Sequence, residues 1–276
     1  MVDIRPAEAA DRDGVIRFLG RAGGGQRPYE RLFDYAWRRP EWNFGYVLTE
    51  AGEVRGFLGH IYSERHLGGR LRRLANQTSW FVEPAYRRYS LDLFRAACAE
   101  PDVDFTNFSA NATVRRILEA YKFRRLDVGK TVVSPHHGLL DRLRIEIAPL
   151  QGDEADLDAE TRRILDAHLP LGCRAYRVAL GDKAGLVIVL RRLFKGIPYA
   201  DMLHASVPPR LFLPLGSYLI PRERVVALGV PRRFLGDAPL LFASNRRPTY
   251  FASRDLPPGD IDTLFSEFPL LYGSRS

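Results

Sequence analysis

Lysine is nearly missing from this chain: four residues (Lys122, Lys130, Lys183, Lys195) stand against 37 arginines in 276 positions. The formal net charge of +8 is therefore an arginine charge. The arginines come as scattered pairs, among them Arg38-Arg39, Arg72-Arg73, Arg87-Arg88, Arg115-Arg116, Arg191-Arg192 and Arg246-Arg247. No lysine-rich block and no recognisable nucleic-acid module accompanies them, so a nucleic-acid groove is not expected. A basic surface of this kind still draws anions.

Cysteine is equally scarce. Cys98 and Cys173 are isolated, which excludes a C-x-x-C motif and points to two reduced, buried thiols rather than a disulfide or a metal site. The six histidines show no ligand spacing beyond the adjacent pair His136-His137, and neighbours on an irregular segment do not readily face one metal; no metal is expected. Long apolar runs are absent too. The run from Ala184 to Leu190 is far below the roughly 18 residues needed to cross a bilayer. Val2-Asp3-Ile4-Arg5 leads straight into an alternating strand pattern with no signal-peptide character, so the expected location is cytoplasmic. With 46% hydrophobic and 27% charged residues the composition is that of an ordinary globular protein.

Periodicity supplies the elements. After the strand at Val2, Asp11 or Asp13 caps a helix carrying Val15, Ile16, Phe18 and Leu19. Tyr29, Leu32, Phe33, Ala36 and Trp37 fit one face of a second helix. Tyr46–Glu50 and Val54–Tyr62 form a hairpin around Ala51-Gly52-Glu53, and Leu71–Val82 makes the next strand. A helix over Leu91–Ala99, a strand over Phe105–Ser109, a helix over Val114–Tyr121 and a closing strand over Val128–Val133 follow. The stretch Ser134–Asp141 reads as a linker. Beyond it the scheme recurs imperfectly: a strand at Ile145–Leu150, a helix at Glu154–His168, and a meander of strands at Arg174–Leu180, Gly185–Leu193 and Ala200–Ala205. A proline-rich middle (Pro208-Pro209, Pro214, Pro221) stands where a helix should follow. Short strands are expected at Leu240–Ala243 and Thr249–Ala252. Asp260 should open a last helix with Ile261, Leu264, Phe265 and Phe268 on one face.

The stretch from Trp80 to Phe123 carries a motif. It contains Val82-Glu83-Pro84-Ala85-Tyr86-Arg87, then Arg87-Arg88-Tyr89-Ser90-Leu91-Asp92 opening a helix, then Asn111-Ala112-Thr113-Val114-Arg115-Arg116-Ile117-Leu118 running on to Phe123. This resembles the GNAT acyltransferase superfamily: a strand ending V-x-P-x-x-R, a loop R-x-x-G-x-G/A, and N-x-x-A-x-x-L-Y-E-K-x-G-F. The valine, proline, arginine, asparagine and final phenylalanine are in register. Ser90 and Asp92 replace the two loop glycines, Leu118 the tyrosine, and Lys122 the late glycine.

The resemblance implies an α/β fold of GNAT type, a mixed and mostly antiparallel sheet flanked by helices, over residues 1–133. With a linker at 134–144, residues 145–276 form a second, degenerate GNAT-like domain or an unrelated β-meander; both remain open. It implies acetyl-CoA or another acyl-CoA as co-substrate, or an acyl carrier protein as donor. The acceptor would be an amine or hydroxyl of a small molecule, saccharide or peptide. Backbone groups of Phe81 and Val82 would bond the pantetheine arm. The Arg87, Arg88, Tyr89, Ser90 and Leu91 loop would wrap the pyrophosphate at a helix N-terminus, where free amides and the dipole favour anions. Asp92 opposes that ligand by its charge. Asn111 is either a bridge to the arm or an N-cap. Tyr121 is a substitute for the missing acid at Leu118. Asn76, Thr78 and Trp80 share a strand face that bears no carboxylate or histidine. The base is open among His60, whose ordinary pKa suits the task, Glu64, Glu83 and a water; a lone strand histidine more often has a structural role. The alternative reading is a catalytically silent binding or scaffold protein on the same fold.

Overall fold

The structure, a computed structural model, describes residues 1–23, 27–127, 129–134, 145–181, 183–208, 211–235, 243–244 and 248–273. In chain order the elements begin with β1 (Val2–Pro6), α1 (Arg12–Ala22), β2 (Gly45–Glu50), β3 (Glu53–Leu67), β4 (Arg70–Val82), α2 (Ser90–Ala97), β5 (Val103–Asn107), α3 (Ala112–Ala120) and β6 (Arg124–Asp127). They continue with β7 (Lys130–Val133), β8 (Glu146–Leu150), α4 (Ala159–His168), β9 (Cys173–Leu180), β10 (Lys183–Phe194), β11 (Ile197–Ala205), α5 (Phe212–Arg222), β12 (Leu228–Pro231), α6 (Arg232–Leu235), β13 (Ala243–Ser244), β14 (Thr249–Ala252) and α7 (Glu267–Tyr272). The fold is α/β, with two mostly antiparallel sheets, each of seven strands among the described residues, and flanking helices. Among the described residues no helix is long and apolar enough to cross a membrane.

Two compact units divide the chain: 1–124 with 250–260 and 265–271, and 125–249 with 261–264 and 272–276. The first sheet runs β1-β2-β3-β4-β5-β14-β6, and the second runs β13-β7-β12-β11-β10-β9-β8. Strand, helix, three antiparallel strands, helix, parallel strand, helix, strand is the order from β1 to β6, and again from β8 to β13. In each sheet the strand inserted next to the last one comes from outside that series. β7, expected to close the first sheet, pairs with β12 and β13 in the second. β14, expected in the second half, pairs with β5 in the first. Residues 135–144 of the segment expected as a linker, with His136-His137 among them, and the start of the Leu240 strand lie outside the described residues.

Burial explains where local expectation fails. Tyr29, Arg31, Leu32, Phe33 and Tyr35 are all buried while Ala36 is exposed. No single helical face accommodates that pattern, so the segment forms only a 3-10 turn at Tyr29–Leu32. Residues 261–271 are buried on every side, and Phe265 takes a left-handed φ of 53°. The last helix therefore starts at Glu267, not Asp260. Conversely, α5 forms through the proline-rich segment: Pro214 falls in the first turn, where no N–H partner is lost, and Pro221 in the last.

The core of the first unit joins Leu48, Leu58, Tyr62, Ala75, Leu93, Phe94, Ala97, Phe105, Leu118, Phe123 and Tyr250. It packs α2 and α3 against one face of the sheet. That of the second packs Phe212, Leu215 and Leu219 of α5 onto Tyr176, Val178, Val187, Val189 and Met202.

One irregularity shapes the first sheet. Phe57 pairs with Phe81 and Gly59 with Thr78, so β4 carries one more residue than β3 across this step. Ser79 absorbs it with a left-handed φ of 52°. Such a bulge reverses the alternation of faces beyond it. Ala75 belongs to the core under α2, and so do Trp80 and Val82, which pack against that core. Trp80 thus lies opposite Asn76 and Thr78 rather than beside them. Relieving the left-handed strain with Ser79→Gly should raise stability by about 0.5–1 kcal/mol, and Ser79→Val should lower it by about 1–3 kcal/mol. Denaturant midpoints measured on the three proteins check this.

Candidate functional site

The parallel ladder of β4 and β5 is short. It pairs Arg73 with Val103, Leu74 with Asp104, Ala75 with Phe105 and Asn76 with Thr106, and ends there. β4 continues to Val82 while β5 stops at Asn107. At the closed end Arg72 is clamped by two carboxylates, Asp104 at 3.0 Å and Asp255 at 2.9 Å. At the last rung the Asn76 amide donates to Thr106 Oγ1 at 3.2 Å. Past it no pairing joins the two strands among the described residues.

Which backbone groups face the opening follows from the β3 side. The Glu83 N–H donates to the Arg55 carbonyl at 2.8 Å, marking 55/83 as a hydrogen-bonded pair. Alternation makes Phe57/Phe81 the next such pair. Phe81 therefore spends its backbone groups on β3, and Val82 points its own toward the side that β5 has left. Of the two residues expected to bond an extended ligand arm, Val82 is the one so oriented. The Trp80 ring stacks on Phe94 at 5.0 Å and 15°.

The segment before α2 is wound rather than open. Pro84–Tyr89 is a 3-10 helix, and the Ser90 N–H donates to the Arg87 carbonyl. Tyr89, not Ser90, occupies the N-cap position of α2, without a side-chain cap. Winding consumes amides that an open glycine loop would leave free. The cations remain: Arg87 and Arg88 are exposed, with the Arg88 guanidinium 4.8 Å from the Tyr89 ring centre. Leu91 is exposed as well. Asp92 pairs with Arg95 at 3.1 Å, which partly neutralises the charge that opposed an anion there.

The remaining expected residues occupy distinct settings. Asn111 is the N-cap of α3, its Oδ1 accepting from Thr113 N at 3.0 Å and Val114 N at 2.9 Å. Tyr121, at the C-cap of α3, accepts from Arg95 Nε at 2.8 Å and meets Phe94 edge-on. Leu118 is fully buried. Thr78 is buried, with Oγ1 3.4 Å from Ser79 Oγ. Asn76 is buried, and its Oδ1 accepts from the Glu267 N–H at 3.0 Å. Glu64 pairs with Arg39, and Glu83 with Arg55 at 3.3 Å.

His60 lies in the interior, with a side-chain exposure of 0%. Its Nδ1 is 3.0 Å from Tyr62 Oη, which donates to Glu100; Asn43 Nδ2 also donates to Glu100, at 3.1 Å. Burial pushes the His60 pKa down to about 4 against a smaller upward pull from Glu100. Burial, with Glu100 nearby, pushes Tyr46 up to about 12, and Tyr62 goes up for the same reasons. Cys98 accepts from Gln77 Nε2 at 3.2 Å, and burial raises its thiol to about 12. Cys173 is buried.

The sequence reading missed three members of this neighbourhood: Asn43, Glu100 and Glu267, the last a carboxylate with 1% exposure. His60 and Tyr62 two apart on one strand face were a visible signal. Nothing local pointed to the other three, which tertiary folding brings in.

No family sequence model and no curated protein sequence matches this chain. Its fold does match solved structures. A GCN5-related N-acetyltransferase from Anabaena variabilis superposes with a TM-score of 0.60 at 10% identity, over 91% of this chain and 72% of that one. A GCN5-related N-acetyltransferase from Kribbella flavida gives 0.56 at 13% identity, over 91% and 70%. Saccharomyces cerevisiae N-myristoyltransferase with bound myristoyl-CoA gives 0.53 at 9% identity, over 91% and 78%. The fold is thus that of GCN5-related N-acyltransferases.

The buried His60 sets a pH signature. Its folded pKa is depressed from 6.5 to about 4, so between those values the unfolded chain binds the proton and the native one does not. Stability is then lost as pH falls from about 6.5 to about 4, by up to about 3 kcal/mol. His60→Gln should flatten that part of the profile, as measured by urea unfolding at pH 7 and pH 4.5.

Proposed function

We propose that this protein transfers an acyl group from a CoA thioester to an amine or hydroxyl by direct attack. The end of the β4–β5 pairing at the Asn76–Thr106 rung while β4 runs on to Val82, with the Ser79 bulge beside it, carries this reading. A thioester arm lies in that opening as an added strand and bonds the Val82 backbone, with Phe81 on the adjoining face. Arg87 and Arg88 meet the phosphates, with Tyr89, Ser90 and Leu91 at the start of α2 beside them. Two arginines without an open amide cradle favour contact through guanidinium over contact through backbone. Asn111 supports the opening from the α3 side.

The acceptor attacks the carbonyl, a backbone amide of β4 holds the oxyanion, and thiolate departs. Thiolate is a good leaving group, so the absence of a hydroxyl at Leu118 slows this step without forbidding it, and Tyr121 is the substitute donor. Asn76 and Thr78 shape the acceptor side. His60, neutral at physiological pH, is the candidate base for the acceptor's proton, released as the new bond to the acyl carbon forms. With a pKa near 4 it is a weak base, which suits an amine that arrives neutral and gives up its N–H proton only as the C–N bond forms. The acceptor is a small molecule, saccharide or peptide, the donor an acyl-CoA or acyl carrier protein, and the setting cytoplasmic without nucleic acid. The repeated element order supports a tandem arrangement with one degenerate half.

Calorimetric titration with CoA and a panel of acyl-CoAs tests the reading. Arg87→Ala should weaken binding by about 10- to 150-fold, as expected for a charge-assisted contact of roughly 1.5–3 kcal/mol, and Asp92→Gly should tighten it. Affinity unchanged in both variants would place the thioester elsewhere. Binding without turnover on any amine would favour a silent binding protein.

A further inference from the structure

The second unit carries an open surface cavity of about 560 Å³ whose lining includes Arg174, Arg191, Arg222 and Arg224, all exposed, against a single carboxylate, Glu223. A volume of this size suits a small-molecule ligand. The β-sheet register shows how the arginines arise. On β9 and β10 the face that bears Tyr176, Val178, Val187 and Val189 is covered by α5. Arg174 pairs with Val189, and Arg191 lies two residues further along β10, so both continue this same face. The apolar pattern gives way to arginine where α5 ends at Arg222.

None of the four guanidiniums is in an ion pair among the described residues. Glu223 is occupied by the Tyr176 hydroxyl, which donates to it. Arg222 donates to Tyr218 Oη at 3.2 Å, with the Tyr176 and Tyr218 ring centres each 5.8 Å away. Four positive charges and one negative leave a formal excess of three around one cavity. Cations at a helix C-terminus complement its dipole, which accounts for Arg222 and Arg224 but not for Arg174 and Arg191, which come from strands. Arg224 also holds a φ of 52°, with the Val225 N–H bonded to the Ile220 carbonyl at 3.1 Å. That is the left-handed position after a helix, where glycine is favoured. Arginine stands there at a cost in stability.

We propose that this cavity binds one small phosphorylated anion per chain, held by guanidinium forks from both strands and the end of α5. Guanidinium presents paired donors that match phosphate oxygens. The site is separate from the acyl-CoA reading and does not depend on it.

The test is calorimetry on the full chain with inorganic pyrophosphate, at fixed ionic strength and free of phosphate and sulfate buffers. One saturable site per chain is expected. Arg174→Ala and Arg191→Ala should each weaken it at least about tenfold, in keeping with loss of one charge-assisted contact, while Arg116→Ala on exposed α3 leaves it unchanged. Arg224→Gly should weaken binding and raise the melting temperature. Three results would overturn the proposal: no saturable heat beyond that of matched sodium chloride, pyrophosphate affinity unaltered in Arg174→Ala and Arg191→Ala, or citrate bound as tightly as pyrophosphate. Arg224→Gly that melts lower and binds normally would reduce Arg224 to a helix cap and count against it too.

Discussion

Everything proposed for the first unit depends on where one ladder stops. Parallel strands brought together by a helical crossover ordinarily stay paired to their ends, because an unpaired backbone group away from water is costly. Here the pairing is enforced at one end, where Arg72 is held by Asp104 and Asp255, and released at the other after Asn76 and Thr106. The two strands are thus clamped at one end, and beyond the other β4 runs on to Val82 without β5. Backbone donors and acceptors near Val82 are left on an edge that β5 does not cover, and the opening proposed there is one in which an extended ligand would substitute for a strand.

The bulge at Ser79 makes that opening chemically two-sided. Without the extra residue, Trp80 would follow Asn76 and Thr78 onto their face. With it, Trp80 moves under α2 and stacks on Phe94, leaving a polar patch on the other side. That patch is tied inward: the Asn76 amide joins Thr106 on β5 to the Glu267 backbone. A side chain with both ends bonded holds the last rung and the C-terminal segment together. Its role in positioning is thereby stronger than any direct role in proton transfer.

Much of the fold was legible because it is periodic. The hairpin of β2 and β3, the long β4, the α2 and α3 helices and the β9–β11 meander all follow from alternation or helical spacing in short windows. The resemblance implied a bulge near Phe81 and Val82, but its place was not legible, since Ser79 is neither glycine nor asparagine and its strain is set by register against Phe57 and Gly59. Asn111 left two roles open, and the structure shows the N-cap. The 3-10 winding before α2 escaped because the motif suggested an open loop, while Pro84 favours a helical first turn. Glu100, Asn43 and Glu267 join the site from distant positions, and no local pattern encodes such convergence.

The exchange of closing strands has a consequence for how each unit achieves stability. β5 receives Tyr250, Phe251 and Ala252 along its free edge, and Tyr250 joins the core that holds Phe94 and Leu118. Asp255, just beyond, supplies one carboxylate of the Arg72 clamp. The geometry of the opening is therefore completed by residues more than 140 positions after β5 in the sequence. β7 plays the matching part in the other sheet, between β12 and β13. A strand edge left open is a liability, and each sheet here covers one with chain drawn from outside its own series. Forming those long-range pairs requires closing large loops before the contacts repay the entropy. The first sheet therefore reaches its final form only after the C-terminal segment has been added, and the edge that β4 presents beyond Asn76 belongs to a sheet completed from both ends of the chain.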